Sequence, residues 1–291
     1  MTPLLEIRDL RTYYPIRRGL FARTVGAVRA VDGVNLTLQA GETVGIVGES
    51  GCGKTTLART ILKLERPHTG EIRVDGVDIA SLRGAALKAF RRQVQVVFQD
   101  PFASLNPRHT VLDLVTEGML AHGLATPANR RTQAVRLLED VGLGADLLDR
   151  YPHAFSGGQR QRIAIARALS LGPRLLICDE AVSALDLSVR AQILNLLADL
   201  RARHGLAYLF ITHDMAVVQH LADRIVVMQR GRVVEAGPAE QLLANPAHPY
   251  TRELLAAVPR PGKPRATAPD DPSDPSDPSD PSDPSRGAWQ F

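Results

Sequence analysis

Apolar residues along this chain follow two rhythms, and the elements they predict alternate. Thr43-Val44-Gly45-Ile46-Val47, Leu175-Leu176-Ile177-Cys178, Tyr208-Leu209-Phe210-Ile211 and Ile225-Val226-Val227-Met228 are short, nearly unbroken apolar runs. Such runs fit strands of a parallel sheet covered on both faces. Val94-Gln95-Val96-Val97-Phe98 predicts another strand, broken by Gln99-Asp100-Pro101. Val34, Leu36 and Leu38 alternate with polar neighbours within Val31–Leu38, the pattern of a half-buried strand. Leu4–Leu10 predicts a first strand, followed by Tyr13-Tyr14 and a basic, glycine-containing loop to about Gly26. After a turn at His68-Thr69-Gly70, Ile72 and Val74 alternate around Asp75-Gly76, a hairpin-turn dipeptide.

The second rhythm, apolar residues three and four apart, predicts helices. It runs through Leu57, Ile61, Leu62 and Leu64 from a start at Thr56, over residues 82–92, and through Ile193, Leu196, Leu197 and Leu200. From 99 to 170 strand patterns vanish, and helical spacing appears at Val111-Leu114-Val115 and at Ala134-Leu137-Leu138-Val141. Residues 239–257 read as helical except at Asn245–Pro249. Strands alternating with helices predict an α/β fold with a largely parallel sheet. The expected organisation is a core over 1–98 and 171–235, an inserted all-helical subdomain over 99–170, and a C-terminal extension over 236–261.

Asp-Pro-Ser repeats five times from Asp271 to Ser285, too polar and proline-rich to bury anything, so 262–291 is expected to be disordered. This tail sets six aspartates (Asp270, Asp271, Asp274, Asp277, Asp280, Asp283) against Lys263, Arg265 and Arg286. The chain before it is therefore more basic than the formal net charge of +4 suggests. Nucleic acid, anionic lipid or nucleotide phosphate could each match that charge. Two cysteines, Cys52 and Cys178, are too few for a disulfide framework or a cysteine-rich metal site. Glu6, Arg8 and Asp9 interrupt any secretory segment, and no apolar run approaches the ~18–20 residues that span a bilayer. The expectation is a soluble protein of a reducing compartment, with any membrane role played through a partner.

The candidate chemistry begins where the Thr43–Val47 strand ends. Gly48-Glu49-Ser50-Gly51-Cys52-Gly53-Lys54-Thr55, followed by Thr56, has the P-loop pattern Gly-x-x-x-x-Gly-Lys-[Ser/Thr]. Gly48, Gly51 and Gly53 let backbone N–H groups converge on phosphate oxygens. Lys54 reaches the β- and γ-phosphates, and the Thr55 hydroxyl is placed for Mg²⁺. Asp179-Glu180 closes a buried strand. An acid there can hold Mg²⁺, and a second can polarise an attacking water. His213 ends another strand at the same sheet edge. Ser156-Gly157-Gly158-Gln159 opens a helix with a capping serine, making a second anion-binding helix start. One P-loop already holds a triphosphate, so this spare site suggests nucleotide bound to another subunit.

Together and in this order, these motifs resemble those of the ATP-binding subunit of an ABC transporter, over about residues 4–235. The resemblance implies a RecA-like P-loop NTPase core with N-terminal antiparallel strands. Walker A corresponds to Gly48–Thr55, the Q-loop to Gln99, and the signature to Phe155–Gln159, with Phe where many members have Leu. Walker B corresponds to Leu175–Asp179 with Glu180 as catalytic carboxylate, the D-loop to Ser183–Asp186, and the switch histidine to His213. Tyr14, with Tyr13 as fallback, matches the aromatic that stacks on adenine. ATP and Mg²⁺ are the implied ligands, the metal falling to Thr55, Gln99 and Asp179.

Phe98–Pro107, Tyr151-Pro152-His153 and the late His248-Pro249-Tyr250-Thr251 resemble oligopeptide/dipeptide importers, where this chain looks like the second, F-type, of two paired ATPases. The last motif is expected to lie outside the nucleotide site. The implied partners are a second ATPase subunit (a heterodimer, with a homodimer as the alternative), two membrane permeases and an extracytoplasmic solute-binding protein, but no nucleic acid. The implied place is the cytoplasmic face of the inner membrane, with Phe102, Asn106 and Arg108 as candidates to meet the permeases. Some relatives carry a cysteine-ligated iron–sulfur cluster near the C-terminus. No cysteine follows Cys178, so none is expected here. Nickel or glutathione uptake shares the branch and is the alternative cargo. An exporter subunit is the weaker alternative, since it gives no reason for His248–Thr251.

Overall fold

The N-terminal strands β1 (Leu5–Arg18) and β2 (Arg23–Leu38) form a long antiparallel hairpin. In this computed structural model residues 2–18, 23–100 and 104–257 are described. Phe102 and the tail 262–291 lie outside them. The sequence predicts a loop after Tyr13-Tyr14 to about Gly26, whereas the strands pair out to Arg18↔Arg23. Among the described residues, no third strand pairs with β1 beyond Arg11↔Thr69. Ile16, Val25 and Val28 are exposed there, so backbone pairing holds the strands without any alternation of burial. Val34, Leu36 and Leu38 are buried as expected.

Strand β3 (Thr43–Val47) leads into helix α1 (Lys54–Ile61). The helix ends where Lys63 takes a left-handed φ of 57°, which turns Leu64 out to solvent instead of continuing the predicted stripe. β4 (Thr69–Val74), starting inside the predicted turn, pairs with β5 (Val77–Asp78). Asp75 and Gly76 both have positive φ, as a two-residue hairpin turn requires. The first sheet is antiparallel in the order β2-β1-β4-β5.

α2 (Gly84–Gln93) and β6 (Val94–Val97) follow, and every described element from there to Leu175 is helical, including α3 (Val111–Ala121), α4 (Arg130–Asp140) and α5 (Gly157–Leu169). The chain continues through β7 (Leu175–Asp179), α6 (Leu187–His204), β8 (Ala207–Thr212), α7 (Met215–Leu221) and β9 (Arg224–Gln229). β10 (Arg232–Pro238), a strand the sequence pattern did not single out, precedes α8 (Ala239–Ala244) and α9 (Pro249–Ala256). The second sheet has the order β10-β9-β3-β8-β7-β6, parallel except for β9–β10. The fold is therefore the α/β, P-loop NTPase architecture read from the sequence.

The unbroken apolar runs are explained by burial on both faces. Along β7, Leu176 and Cys178 join the core on the helical side, with Tyr208 and Phe210 of β8. Leu175 and Ile177 join the core beneath the antiparallel sheet and α1, with Leu209 and Ile211. Cys178 is fully buried and acts as a small apolar residue; burial pushes its thiol well above the usual range.

Candidate functional site

Parallel pairing brings the ends of three strands to one edge. Val47 lies opposite Thr212, and Asp179 opposite Ile211, so the loops after β3, β7 and β8 all open at that edge. This is the edge where ligands sit in such sheets.

After β3 the chain passes too close to its neighbours for side chains at two points. A Cβ on Gly48 would lie 2.2 Å from the Met228 carbonyl oxygen. One on Gly53, at φ 109°, would lie 1.9 Å from that of Ala30. α1 starts at Lys54 rather than Thr56, so the lysine and Thr55 belong to its first turn. Lys54 is 4% exposed. Its Nζ donates to the carbonyls of Gly48 (2.7 Å) and Glu49 (2.8 Å) and lies 3.7 Å from Cys52 Sγ. The loop thus folds around its own cation.

The Thr55 hydroxyl donates to Asp179 Oδ1 at 3.2 Å. Burial holds the Asp179 carboxyl above the usual carboxylate range, partly offset by that bond. Thr55, Gln99 and Asp179 line one cavity of about 320 Å³. Three oxygen donors from three elements, one of them a buried carboxylate, fit a hard cation such as Mg²⁺. A neighbouring cavity of about 470 Å³ is lined by Ser50, Gly51, Gly53, Lys54, Thr55 and Thr56 of the loop and α1, with Gln99 and Glu180.

Its far wall was not legible in the sequence. Val28, Arg29, Ala30, Arg230 and Gly231 form it. The β9–β10 turn reaches the loop through Gly231 N donating to Cys52 O (2.9 Å), and β2 reaches the turn through Asp32 N donating to Gly231 O (2.8 Å). Tyr14 does not line this cavity, although its cross-strand partner Val28 does. Tyr13 is engaged elsewhere: its hydroxyl donates to Asp32 (2.6 Å) and its ring stacks on His68.

Glu180 follows β7 with a left-handed φ of 52°. Its N–H donates to Ile211 O (2.8 Å), and its carbonyl accepts from Ser183 Oγ (2.9 Å). Its Oε1 lies 3.3 Å from His213 Nδ1. A non-glycine residue held in this region stores about 1–3 kcal/mol, which concentrates at working sites. The Arg190 guanidinium of α6 bonds the Asp214 carboxylate (2.7 Å), tying the helix after the Asp186 loop to the residue beside His213. Sequence reasoning missed this link.

Ser156, Gly157, Gly158 and Gln159 do not line the cavity. Ser156 caps α5 in a reciprocal box: its Oγ accepts from Gln159 N, and Gln159 Oε1 accepts from Ser156 N. The two glycines differ in their surroundings. A Cβ on Gly157 would make ordinary contact with Leu185 at 3.7 Å, while one on Gly158 would meet Val189 Cγ1 at 2.5 Å. The helix start therefore packs beside the segment of Asp186, itself exposed next to Leu187, which is 80% exposed. Gly158→Ala is expected to lower stability by about 1–3 kcal/mol through overpacking. Gly157→Ala is expected to be neutral or stabilising, because it replaces a helical glycine where there is room. Urea denaturation of the two variants checks this; equal effects would contradict it.

His248–Thr251 does not line the cavity, yet it touches the nucleotide loop: Glu49 N donates to the Tyr250 hydroxyl at 2.9 Å, across 201 residues. The side chain reaches the loop from behind, a contact that chain order conceals.

Comparison with known proteins agrees with this geometry. Residues 31–183 match the ABC transporter family, and residues 234–287 match the oligopeptide/dipeptide transporter C-terminal region. The oligopeptide transport ATP-binding protein AppF of Bacillus subtilis (strain 168) is 52% identical over 88% of this chain and 78% of its own length. The glutathione import ATP-binding protein GsiA of Escherichia coli (strain K12) is 51% identical over 88% of this chain and 41% of its own. The solved dimeric ATP-binding cassette MJ0796, in a post-hydrolysis state bound to ADP and Pi, superposes with a TM-score of 0.71 at 30% identity, over 81% of this chain and 98% of that one. Sharing half its residues with such proteins along most of its length, this chain belongs to the ABC transporter family, as one of its ATP-binding, ATP-hydrolysing subunits.

Proposed function

We propose that this subunit powers the uptake of di- and oligopeptides through partner membrane permeases. The observation that carries the reading is the match of residues 234–287 to the oligopeptide/dipeptide transporter C-terminal region, which ATP hydrolysis by itself does not require. AppF, similar along most of both chains, supports it. Among the described residues no helix is long and apolar enough to cross a membrane. Membrane association then runs through permease subunits at the cytoplasmic face of the inner membrane, supplied by a solute-binding protein outside it. Asn106 and Arg108, both exposed, remain candidates for that contact.

The geometry supports the following residue roles. Lys54 keeps the Gly48 carbonyl and turns its other two N–H donors to β- and γ-phosphate oxygens, with the amides of Ser50–Thr56 around it. Thr55, Asp179 and Gln99 hold Mg²⁺, which when bound neutralises charge developing on the phosphates. Glu180 orients or deprotonates the attacking water, and His213 steadies the γ-phosphate and the Glu180 carboxylate beside it. Ser156, Gly158 and Gln159 serve the nucleotide of a second ATPase subunit; that they lie outside the cavity, with Gly157 and Gly158 against Leu185 and Val189 on either side of Asp186, supports this. Val28 and Arg29 join or replace Tyr14 where the adenine and sugar sit.

The similarity to GsiA favours glutathione, itself a small peptide, as the second reading. Uptake of labelled dipeptides, oligopeptides, glutathione and nickel in cells with and without this subunit separates the cargoes. Loss of di- and oligopeptide uptake alone is expected. Loss of glutathione or nickel uptake alone would overturn the cargo and leave the ATPase intact.

A further inference from the structure

The Glu49 amide that Tyr250 accepts belongs to the same peptide group as the Gly48 carbonyl, and that carbonyl holds Lys54 Nζ at 2.7 Å. A peptide unit is planar and trans, so fixing the direction of its N–H also fixes the direction of its C=O. One face of this peptide is therefore tied to the C-terminal extension and the other to the phosphate-binding lysine.

The hydroxyl reaches that amide by a well-braced route. The Glu235 carboxylate of β10 accepts from Ala247 N (2.8 Å) and His248 N (3.0 Å), fixing the segment before α9. His248 Nδ1 then accepts from Tyr250 N, capping the helix, and Pro249 stands in its first turn. The Tyr250 ring is 4% exposed and packs in one cluster with Val47, Val227 and Leu242, so the strand before the loop and the extension share a core. A buried tyrosine hydroxyl finds a polar partner, and here the partner is the loop's own backbone.

We propose that Tyr250 is a positioning residue of the nucleotide site: through the Gly48–Glu49 peptide it sets where the Lys54 ammonium stands. The C-terminal extension is then part of the phosphate-binding machinery as well as of the branch's identity. The inference rests on the reading of Lys54 as the lysine that meets the β-phosphate.

The test is Tyr250→Phe in the full chain, which keeps the buried ring and removes only the acceptor. Competition binding with Mg²⁺ present compares ADP with AMP, which has no β-phosphate for Lys54 to meet. ADP affinity is expected to fall about tenfold, the cost of leaving a part-buried N–H unpaired and its peptide free to turn, with AMP affinity within about twofold of wild type. Amide exchange at Glu49, expected to be slow in the wild type, should quicken at least about tenfold in the variant, which reads the contact independently of affinity. Unchanged ADP affinity in the variant, or equal weakening of ADP and AMP, would overturn the role of Tyr250. A wild-type chain that binds AMP as tightly as ADP would instead overturn the reading of Lys54, and the inference with it.

Discussion

Replacing Glu180 by Gln is expected to leave ATP bound while slowing its hydrolysis at least ~100-fold. The carboxylate lines the cavity beside the P-loop, its side chain 15% exposed and its Oε1 3.3 Å from His213. Its backbone is held left-handed by the bonds to Ile211 and Ser183, so the side chain's direction is set before substrate arrives. Glutamine keeps the shape and the contact to His213 but cannot accept a proton from water. Binding affinity measured alongside single-turnover hydrolysis separates the two effects. Near-normal turnover would remove Glu180 from the chemistry.

Lys54→Ala is expected to abolish measurable ATP binding or turnover. The side chain is almost wholly buried and is the cation of the loop's own hydrogen bonds. Removing it takes a charge from the phosphates and also leaves the Gly48 and Glu49 carbonyls without that donor, at about 1–3 kcal/mol of stability. Thermal denaturation without nucleotide therefore has to accompany the binding measurement. A folded variant with unchanged ATP affinity and rate would contradict the role assigned to the loop.

Strands β3, β7, β8 and β9 were legible in the sequence because both of their faces are buried, which writes an unbroken apolar run into each. The loop after β3 was legible because its glycines answer to steric limits that no other residue meets, as at Gly53 against Ala30. The ribbon of β1 and β2 was not, since outside the sheet it has no buried face to impose alternation. The far wall of the cavity escaped for a different reason. Arg29 and Arg230 come together through pairings between β2, the β9–β10 turn and the loop, and local spacing carries no trace of such contacts. Tyr250 stands in a motif the sequence shows, but its place behind the loop depends on β10 and α8 returning the chain to Val47.

Uptake of labelled peptide, in cells lacking this subunit and supplied with either the wild-type chain or the Glu180→Gln variant at equal levels, tests most directly whether hydrolysis at this site drives import. The account predicts that the wild type restores peptide uptake and the variant does not. Uptake restored equally by both would contradict it.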